Sequence, residues 1–115
     1  MKLWVDDVRP APDGYKLFRS VNEVIHFIEA REKRIQDLDL YGVLSEKRRE
    51  ELSISLIDID HDAGDYANDG GDYINLLDWL EETGRNYPIR IHSMNPVGVE
   101  NMRRIIQRNG WTEVK

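Results

Sequence analysis

The chain has 115 residues, the usual size of a single domain, and its 40% hydrophobic content and three tryptophans suffice for a core. A net charge of -6 argues against general nucleic-acid binding, and the lack of cysteine excludes disulfides, thiolate zinc sites and cysteine nucleophiles. No signal-like segment or apolar run of roughly 20 residues is present, so a soluble cytoplasmic domain without membrane contact is expected.

The first predicted elements are two short strands at residues 2–5 and 15–19. Between them, Pro10, Pro12 and the Asp13-Gly14 pair indicate a loop. This connection is too short for a helical crossover, which takes a dozen or more residues. The second strand therefore either forms an edge hairpin with the first or follows an extended loop that replaces the helix.

A helix is predicted to begin after Ser20, because Glu23 stands three residues later and completes a capping box. The apolar residues that follow have the spacing of one buried helical stripe: Val21, Val24, Ile25 and Ile28. Residues 32–52 are interpreted as an insertion or a long second helix. The mixed charges of residues 46–51 in that segment are typical of a solvated helix face.

The second half of the chain alternates strands with helices. Residues 54–59 predict a buried strand, a glycine-rich loop spans 64–71, and a helix is expected from Asp72 to about Gly84. Residues 89–91 predict another strand, Asn95-Pro96 a helix start, and 111–114 a last strand. Such alternation favours a single-domain, three-layer α/β/α architecture with a mostly parallel sheet of about five strands.

Three of these strands run directly into polar residues. The strand at 2–5 is followed by Asp6-Asp7, the strand at 54–59 by Asp60-His61-Asp62, and the strand at 89–91 by His92, Ser93 and Asn95. Ligands of open parallel sheets bind outside the carboxyl ends of the strands. We therefore expect the three polar groups to converge on one pocket.

The acidic residues predict a site for a divalent cation. Asp6, Asp7 and Asp60 offer the carboxylate oxygens that Mg²⁺ and Mn²⁺ prefer, and adjacent carboxylates are costly unless a cation balances them. The alternative is that these aspartates only cap helices or bond their own loops.

The imidazoles and the last helix suggest acid–base chemistry on a phosphate. His61 and His92, oriented by Asp60 and Asp62, would exchange protons near neutral pH, whereas His26 has no polar neighbours and is interpreted as structural. The helix that starts after Asn95 offers free N–H groups to an anion. The candidate phosphate-binding residues are Ser93, Asn95, Gly98 and Arg9. Gly98 would let a ligand approach the first turn of the helix closely, and Arg9 would either hold the phosphate or pair with the aspartates.

Three stretches together resemble the cyclic-phosphate processing receiver domain family: Lys2 to Pro12, Ile59 to Asp62, and Arg90 to Gly98 with Asn101-Met102. The resemblance spans nearly the whole chain except residues 32–52. It implies a receiver-like, flavodoxin-type fold and the processing of cyclic phosphates on nucleotides or nucleotide-derived small molecules. The functional positions that it implies are Asp6, Asp7, Asp60, His61, Asp62, His92, Ser93 and Asn95. The chain departs from the family at Ala63, where leucine is more familiar, and in a longer loop at 65–71.

The leading hypothesis is thus a hydrolase, a phosphoesterase that opens a cyclic phosphate on a small, nucleotide-derived ligand. One alternative is a signalling receiver that accepts a phosphoryl group on Asp60. That scheme also uses a lysine at the end of the fifth strand, here Lys115, and gives the histidines no role. The other alternative is a non-catalytic module that binds a nucleotide or a metal.

Overall fold

A computed structural model describes residues 1–115. The chain forms a parallel sheet of four strands in the order β2-β1-β3-β4. This is the α/β, receiver-like arrangement predicted above. In chain order the elements are β1 (Lys2–Val5), β2 (Tyr15–Phe18), α1 (Val21–Leu40), α2 (Glu46–Leu52), β3 (Leu56–Ile59), a short 3-10 helix (Gly64–Tyr66), α3 (Ile74–Glu82), β4 (Ile89–Ile91) and α4 (Pro96–Asn109).

Strands β1 and β2 are parallel, so the extended loop, and not the hairpin, connects them. Residues 6–14 make this connection without a helix. The Asp6 N–H donates to the Phe18 carbonyl at 3.1 Å and prolongs the ladder. The Arg19 guanidinium donates to the carbonyls of Asp6 and Arg9 at 3.1 and 3.2 Å, which holds the loop against the end of β2.

The hydrophobic core lies on one face of the sheet. Alternate strand residues enter it, because side chains along a strand point to opposite faces. Each fully buried aliphatic side chain contributes about 1.5–3 kcal/mol. The core joins strand residues Leu3, Val5, Ile57, Ile59 and Ile89 to the buried stripes of three helices: Val21, Val24 and Ile28 of α1, Leu76, Leu77 and Leu80 of α3, and Met102, Ile105 and Ile106 of α4.

The opposite face of the sheet has no long helix packed on it. Its residues, which include Trp4, Leu56, Asp58 and Arg90, are absent from the core shared by α1, α3 and α4. The packing therefore has two layers where three were expected. The physical reason is the loop between β1 and β2, which replaces the crossover helix that would cover this face.

Helix α1 begins as the capping box predicts, with the Ser20 hydroxyl accepting from the Glu23 N–H at 3.2 Å. The segment 32–52 consists of the second half of α1, a short loop and helix α2. The Ser45 hydroxyl accepts from the Arg48 N–H and caps α2 in the same manner. The charged residues at 46–51 are mostly exposed, as a solvated helix face requires.

Helix α3 begins at Ile74, two residues later than predicted, because the Asp72 carboxylate accepts from the Ala63 N–H instead of capping the helix. The fifth strand is reduced to one parallel bridge between Ile89 and Glu113. No helix in the structure combines the length and the apolar character needed to span a membrane.

Candidate metal and phosphate site

Three carboxylates meet at the carboxyl-terminal edge of the sheet. Val5 and Ile59 are register partners, so the residues that follow them, Asp6 and Asp60, lie side by side. Asp7 joins them, and one oxygen from each of Asp6, Asp7 and Asp60 lies within 4.8 Å of the other two. Asp6 is fully buried, while Asp7 and Asp60 are partly exposed. The predicted convergence of β1 and β3 is therefore present.

Asp6 is held in one orientation by three donors. Its Oδ1 accepts from the Val8 and Arg9 N–H groups, both at 2.9 Å, and its Oδ2 lies 2.9 Å from Nε2 of His92. Burial alone would raise the pKa of Asp6, but these hydrogen bonds together lower the pKa below its ordinary value. Asp6 is thus an ionised and fixed carboxylate at the base of the site.

The negative charge of Asp7 is the least compensated in the cluster. Burial, followed by repulsion from Asp6 and Asp60, raises the pKa of Asp7, although a bond from its own N–H opposes the shift. No lysine or arginine side chain pairs with any of the three carboxylates. A divalent cation would supply the missing positive charge, and three carboxylate oxygens are a suitable set for Mg²⁺ or Mn²⁺. The residues therefore fit such an ion.

Gly64 leaves the space that Asp7 occupies. A Cβ atom at position 64 would lie 2.3 Å from Oδ2 of Asp7, and the backbone φ of +54° also favours glycine. Gly64→Ala is expected to displace Asp7 and to weaken Mn²⁺ binding about 10-fold, a loss typical of a disturbed metal environment. Titration with Mn²⁺ monitored by electron paramagnetic resonance measures this change.

Gly42→Ala is the matched control for this substitution. Gly42 has a similar φ of +69°, but a Cβ atom there would meet nothing within 4 Å. Both variants should therefore lose a similar amount of stability from backbone strain, and only Gly64→Ala should lose affinity for Mn²⁺. Equal Mn²⁺ affinity in the two variants would contradict the placement of Asp7 in the metal site.

His92 lies beneath the acidic cluster and only 7% of its side chain is exposed. Its Nδ1 is 2.6 Å from Oδ1 of Asp58, and its Nε2 is 2.9 Å from Oδ2 of Asp6. The Trp4 ring stacks on the imidazole, with 3.8 Å between centroids and 5° between planes. The structure thus brings His92 to the cluster as predicted, but both of its nitrogens are already bonded to carboxylates.

His61 has a different environment. Its Nδ1 lies 2.8 Å from Oδ1 of Asp62, its Nε2 has no protein partner, and 15% of its side chain is exposed. The ring rests on Gly98, where a Cβ atom would lie 2.4 Å from Cγ of the imidazole. The backbone N–H of His61 donates to Oδ1 of Asp60 at 2.8 Å, which connects the main chain at His61 to the acidic cluster. His61 and Asp62 form a dyad in which a carboxylate orients an imidazole with one free nitrogen.

The start of α4 completes the surroundings of the dyad. The Asn95 side chain accepts from the Gly98 N–H at 3.0 Å, so its predicted capping role is confirmed. The Ser93 hydroxyl accepts from the Asn95 N–H at 3.1 Å. The guanidinium of Arg9 is exposed and forms no ion pair with Asp6 or Asp7. Arg9 therefore remains free to meet an anion in solution.

Two residues that hold His92 were missed by sequence reasoning. Asp58 is completely buried in β3, its Oδ1 lies 2.6 Å from Nδ1 of His92, and its Oδ2 accepts from the Arg90 guanidinium at 3.0 Å. The available signal was an acidic residue inside an otherwise apolar run, Ile54 to Ile59. His26, interpreted as structural, lies exposed on α1, and Lys115 pairs with Glu113 at 3.1 Å instead of approaching the cluster.

Comparisons with known proteins agree with this arrangement at the level of family. The family model described as the cyclic-phosphate processing receiver domain matches residues 1–108. Comparison with curated proteins gives no match, and comparison with solved structures gives none either. The match covers nearly the whole chain, including the acidic cluster, the His61–Asp62 dyad and the start of α4, and the chain therefore belongs to the cyclic-phosphate processing receiver domain family.

Proposed function

We propose that the protein is a metal-dependent phosphoesterase that opens a cyclic phosphate on a nucleotide or a nucleotide-derived small molecule. The observation that carries the proposal is the His61–Asp62 dyad, which has a free Nε2 and immediately follows Asp60 of the acidic cluster, to whose carboxylate the backbone N–H of His61 donates. The family supports the substrate class, since its description names cyclic-phosphate processing.

Asp6, Asp7 and Asp60 would hold Mg²⁺ or Mn²⁺. Such an ion, when bound, stabilises the negative charge that develops on the phosphoryl oxygens. Asp6 is fixed by its hydrogen bonds, while Asp7 and Asp60 are partly exposed and accessible to the ion. The fixed carboxylate would define the position of the site.

His61 would carry the proton transfers. Its Nε2 takes a proton from water as the water oxygen bonds to phosphorus and one ester P–O bond of the ring breaks. The same proton then passes from Nε2, through solvent, to the leaving oxygen, which restores the neutral imidazole. The product is a phosphomonoester that carries one free hydroxyl group where the ring was opened. Asp62 keeps the Nδ1 hydrogen in place, so that Nε2 is the nitrogen available to accept.

The phosphate would lie against the first turn of α4. The N–H groups and dipole of a helix N-terminus favour anions, and the Ser93 hydroxyl stands just before that turn. Arg9, which has no ion pair in the structure, would bind the phosphate from the β1–β2 loop.

The assay that tests the proposal offers the purified protein 2′,3′-cyclic nucleotides and ADP-ribose cyclic phosphates. We expect the appearance of a phosphomonoester by ³¹P nuclear magnetic resonance with Mg²⁺ or Mn²⁺, and a loss of at least about 100-fold in rate when EDTA removes the ion. Asp60→Asn should reproduce the loss caused by EDTA. No turnover of any substrate with either ion would argue strongly against the phosphoesterase.

A phosphoacceptor receiver is the second candidate, favoured by the position of Asp60 at the end of β3 beside Asp6 and Asp7. The pairing of Lys115 with Glu113 is an observation against it, because the receiver scheme needs that lysine at the acidic cluster. Incubation with a small phosphodonor followed by intact-mass measurement separates the two functions. A stable gain of one phosphoryl group on Asp60 would favour the receiver, and ligand-induced thermal stabilisation without turnover would favour a binding module.

A further inference from the structure

We infer that His92 acts as a positioning residue for the metal-binding carboxylate Asp6, and that Asp58 and Arg90 hold His92 in that role. The inference deepens the proposed function and rests on its metal site. Asp58 and Arg90 thereby have a role, and the two histidines have separate tasks. A continuous series of hydrogen bonds leads from the protein surface to the acidic cluster.

The series of hydrogen bonds begins at Arg90, whose side chain is 42% exposed. Its guanidinium donates to Oδ2 of Asp58 at 3.0 Å, and Oδ1 of the same carboxylate lies 2.6 Å from Nδ1 of His92. Nε2 of His92 then lies 2.9 Å from Oδ2 of Asp6. Asp58 contacts Arg90 and His92 through different oxygens, and His92 contacts Asp58 and Asp6 through different nitrogens. The position of Asp58 therefore fixes the orientation of His92, and His92 fixes that of Asp6.

The ring of His92 is also immobilised from the side. Trp4 stacks on it with nearly parallel planes, and the Trp4 Nε1–H donates to the Arg9 carbonyl at 3.3 Å. Each ring nitrogen lies within hydrogen-bond distance of a carboxylate, Nδ1 of Asp58 and Nε2 of Asp6, so the ring is held from both sides. A ring with both nitrogens engaged is suited to orienting Asp6 and has no free nitrogen to offer a substrate.

The partners of a metal ligand set its orientation, and their loss commonly weakens metal affinity by about 10–100-fold. His92→Gln should cause a loss in this range. The glutamine amide can donate to Asp6, but its carbonyl oxygen then faces the Asp58 carboxylate, and two acceptors repel. The metal affinity should therefore fall although the side chain remains polar and similar in size.

The double variant D58N/H92Q restores complementary hydrogen bonding. The introduced asparagine can accept from Arg90 through its carbonyl oxygen and donate through its amide to the carbonyl oxygen of the introduced glutamine. The glutamine amide can then donate to Asp6. We expect the affinity for Mn²⁺ to return to within about threefold of the wild type. Asp58→Asn alone should cause a small loss, because His92 can still donate from Nε2 to Asp6.

Titration with Mn²⁺ alone, monitored by electron paramagnetic resonance, measures these affinities without any substrate. His26→Gln is the control, since His26 is exposed on α1, and Arg90→Gln removes the surface end of the chain with an expected loss of about threefold. Thermal melting of each metal-free variant separates a loss of affinity from a loss of folding.

Recovery of Mn²⁺ affinity in the double variant supports the inference even if no substrate is ever turned over. Wild-type affinity in His92→Gln, a double variant as weak as His92→Gln, or no Mn²⁺ binding by the wild type would each overturn it. If the inference fails while metal-dependent turnover is observed, the proposed phosphoesterase still stands.

Discussion

Asp7→Asn is expected to raise the melting temperature of the metal-free protein by a few degrees and to remove most of its stabilisation by Mn²⁺. Burial and then repulsion from Asp6 and Asp60 raise the pKa of Asp7 in the folded state. A carboxyl group with a raised folded-state pKa loses stability as the pH rises through that pKa, so ionised Asp7 weakens the fold at neutral pH. The uncharged amide avoids this cost but is a poorer ligand for the ion.

The gain in stability of Asp7→Asn should depend on pH. Below the ordinary pKa of 3.8 the carboxyl is protonated in both folded and unfolded states, and the difference in stability between Asp7→Asn and the wild type should disappear. The difference should grow as the pH rises through the folded-state pKa. Thermal melting by circular dichroism in EDTA, across acid and neutral pH, measures it.

Addition of Mn²⁺ should reverse the order of the two melting temperatures, so that the wild type melts above Asp7→Asn. A ligand at about 100 times its Kd stabilises the folded state by about 2.7 kcal/mol, and we expect the wild type to gain this amount and Asp7→Asn less than a third of it. Asp13→Asn is the matched control, because Asp13 is exposed in the β1–β2 loop and its loss changes the net charge equally. An Asp7→Asn variant that melts below the wild type in EDTA, or that gains equally from Mn²⁺, would refute the assignment.

Local signals in the sequence predicted much of the fold. The Ser20 capping box, the Asn95-Pro96 helix start and the apolar alternation of β3 depend on neighbouring residues, and the structure contains all three features. The number of layers was less predictable. Trp4 and Leu56 look like core residues in the sequence, yet they lie on the face that carries no long helix, where Tyr15 and His92 pack on Trp4 instead.

The candidate site was predictable in position but not in its internal hydrogen bonds. Parallel strands with a fixed register necessarily bring Asp6 beside Asp60, which is why the motif residues indicated the correct edge of the sheet. The partners of His92 depend on Asp58, which projects from the middle of a buried strand and whose neighbours are set by packing between β3 and β4. The sequence shows two histidines in similar contexts, whereas only three-dimensional structure separates the engaged ring of His92 from the free Nε2 of His61.

His61→Asn is expected to lower kcat by about 10²–10⁴-fold, the usual contribution of one acid–base group, while the affinity for Mn²⁺ stays within about threefold of the wild type. The asparagine amide can still donate to Asp62, but it cannot accept a proton from water at neutral pH. His26→Asn is the control, because it makes the same chemical change at an exposed position of α1. The measurement is kcat for cyclic-phosphate opening at saturating Mn²⁺.

A second variant tests the position of His61 while its chemistry is left intact. A Cβ atom at Gly98 would lie 2.4 Å from Cγ and 2.5 Å from Cδ2 of the imidazole, so Gly98→Ala must displace the ring. Alanine is a better helix former than glycine by about 1 kcal/mol, which offsets part of the steric cost to stability. We expect kcat to fall at least about 10-fold because acid–base groups need hydrogen-bond reach, whereas Glu100→Ala, on the exposed side of the same helix, should leave kcat unchanged. If Gly98→Ala and His61→Asn both keep wild-type kcat, His61 does not carry the proton and the proposed mechanism fails at its central step.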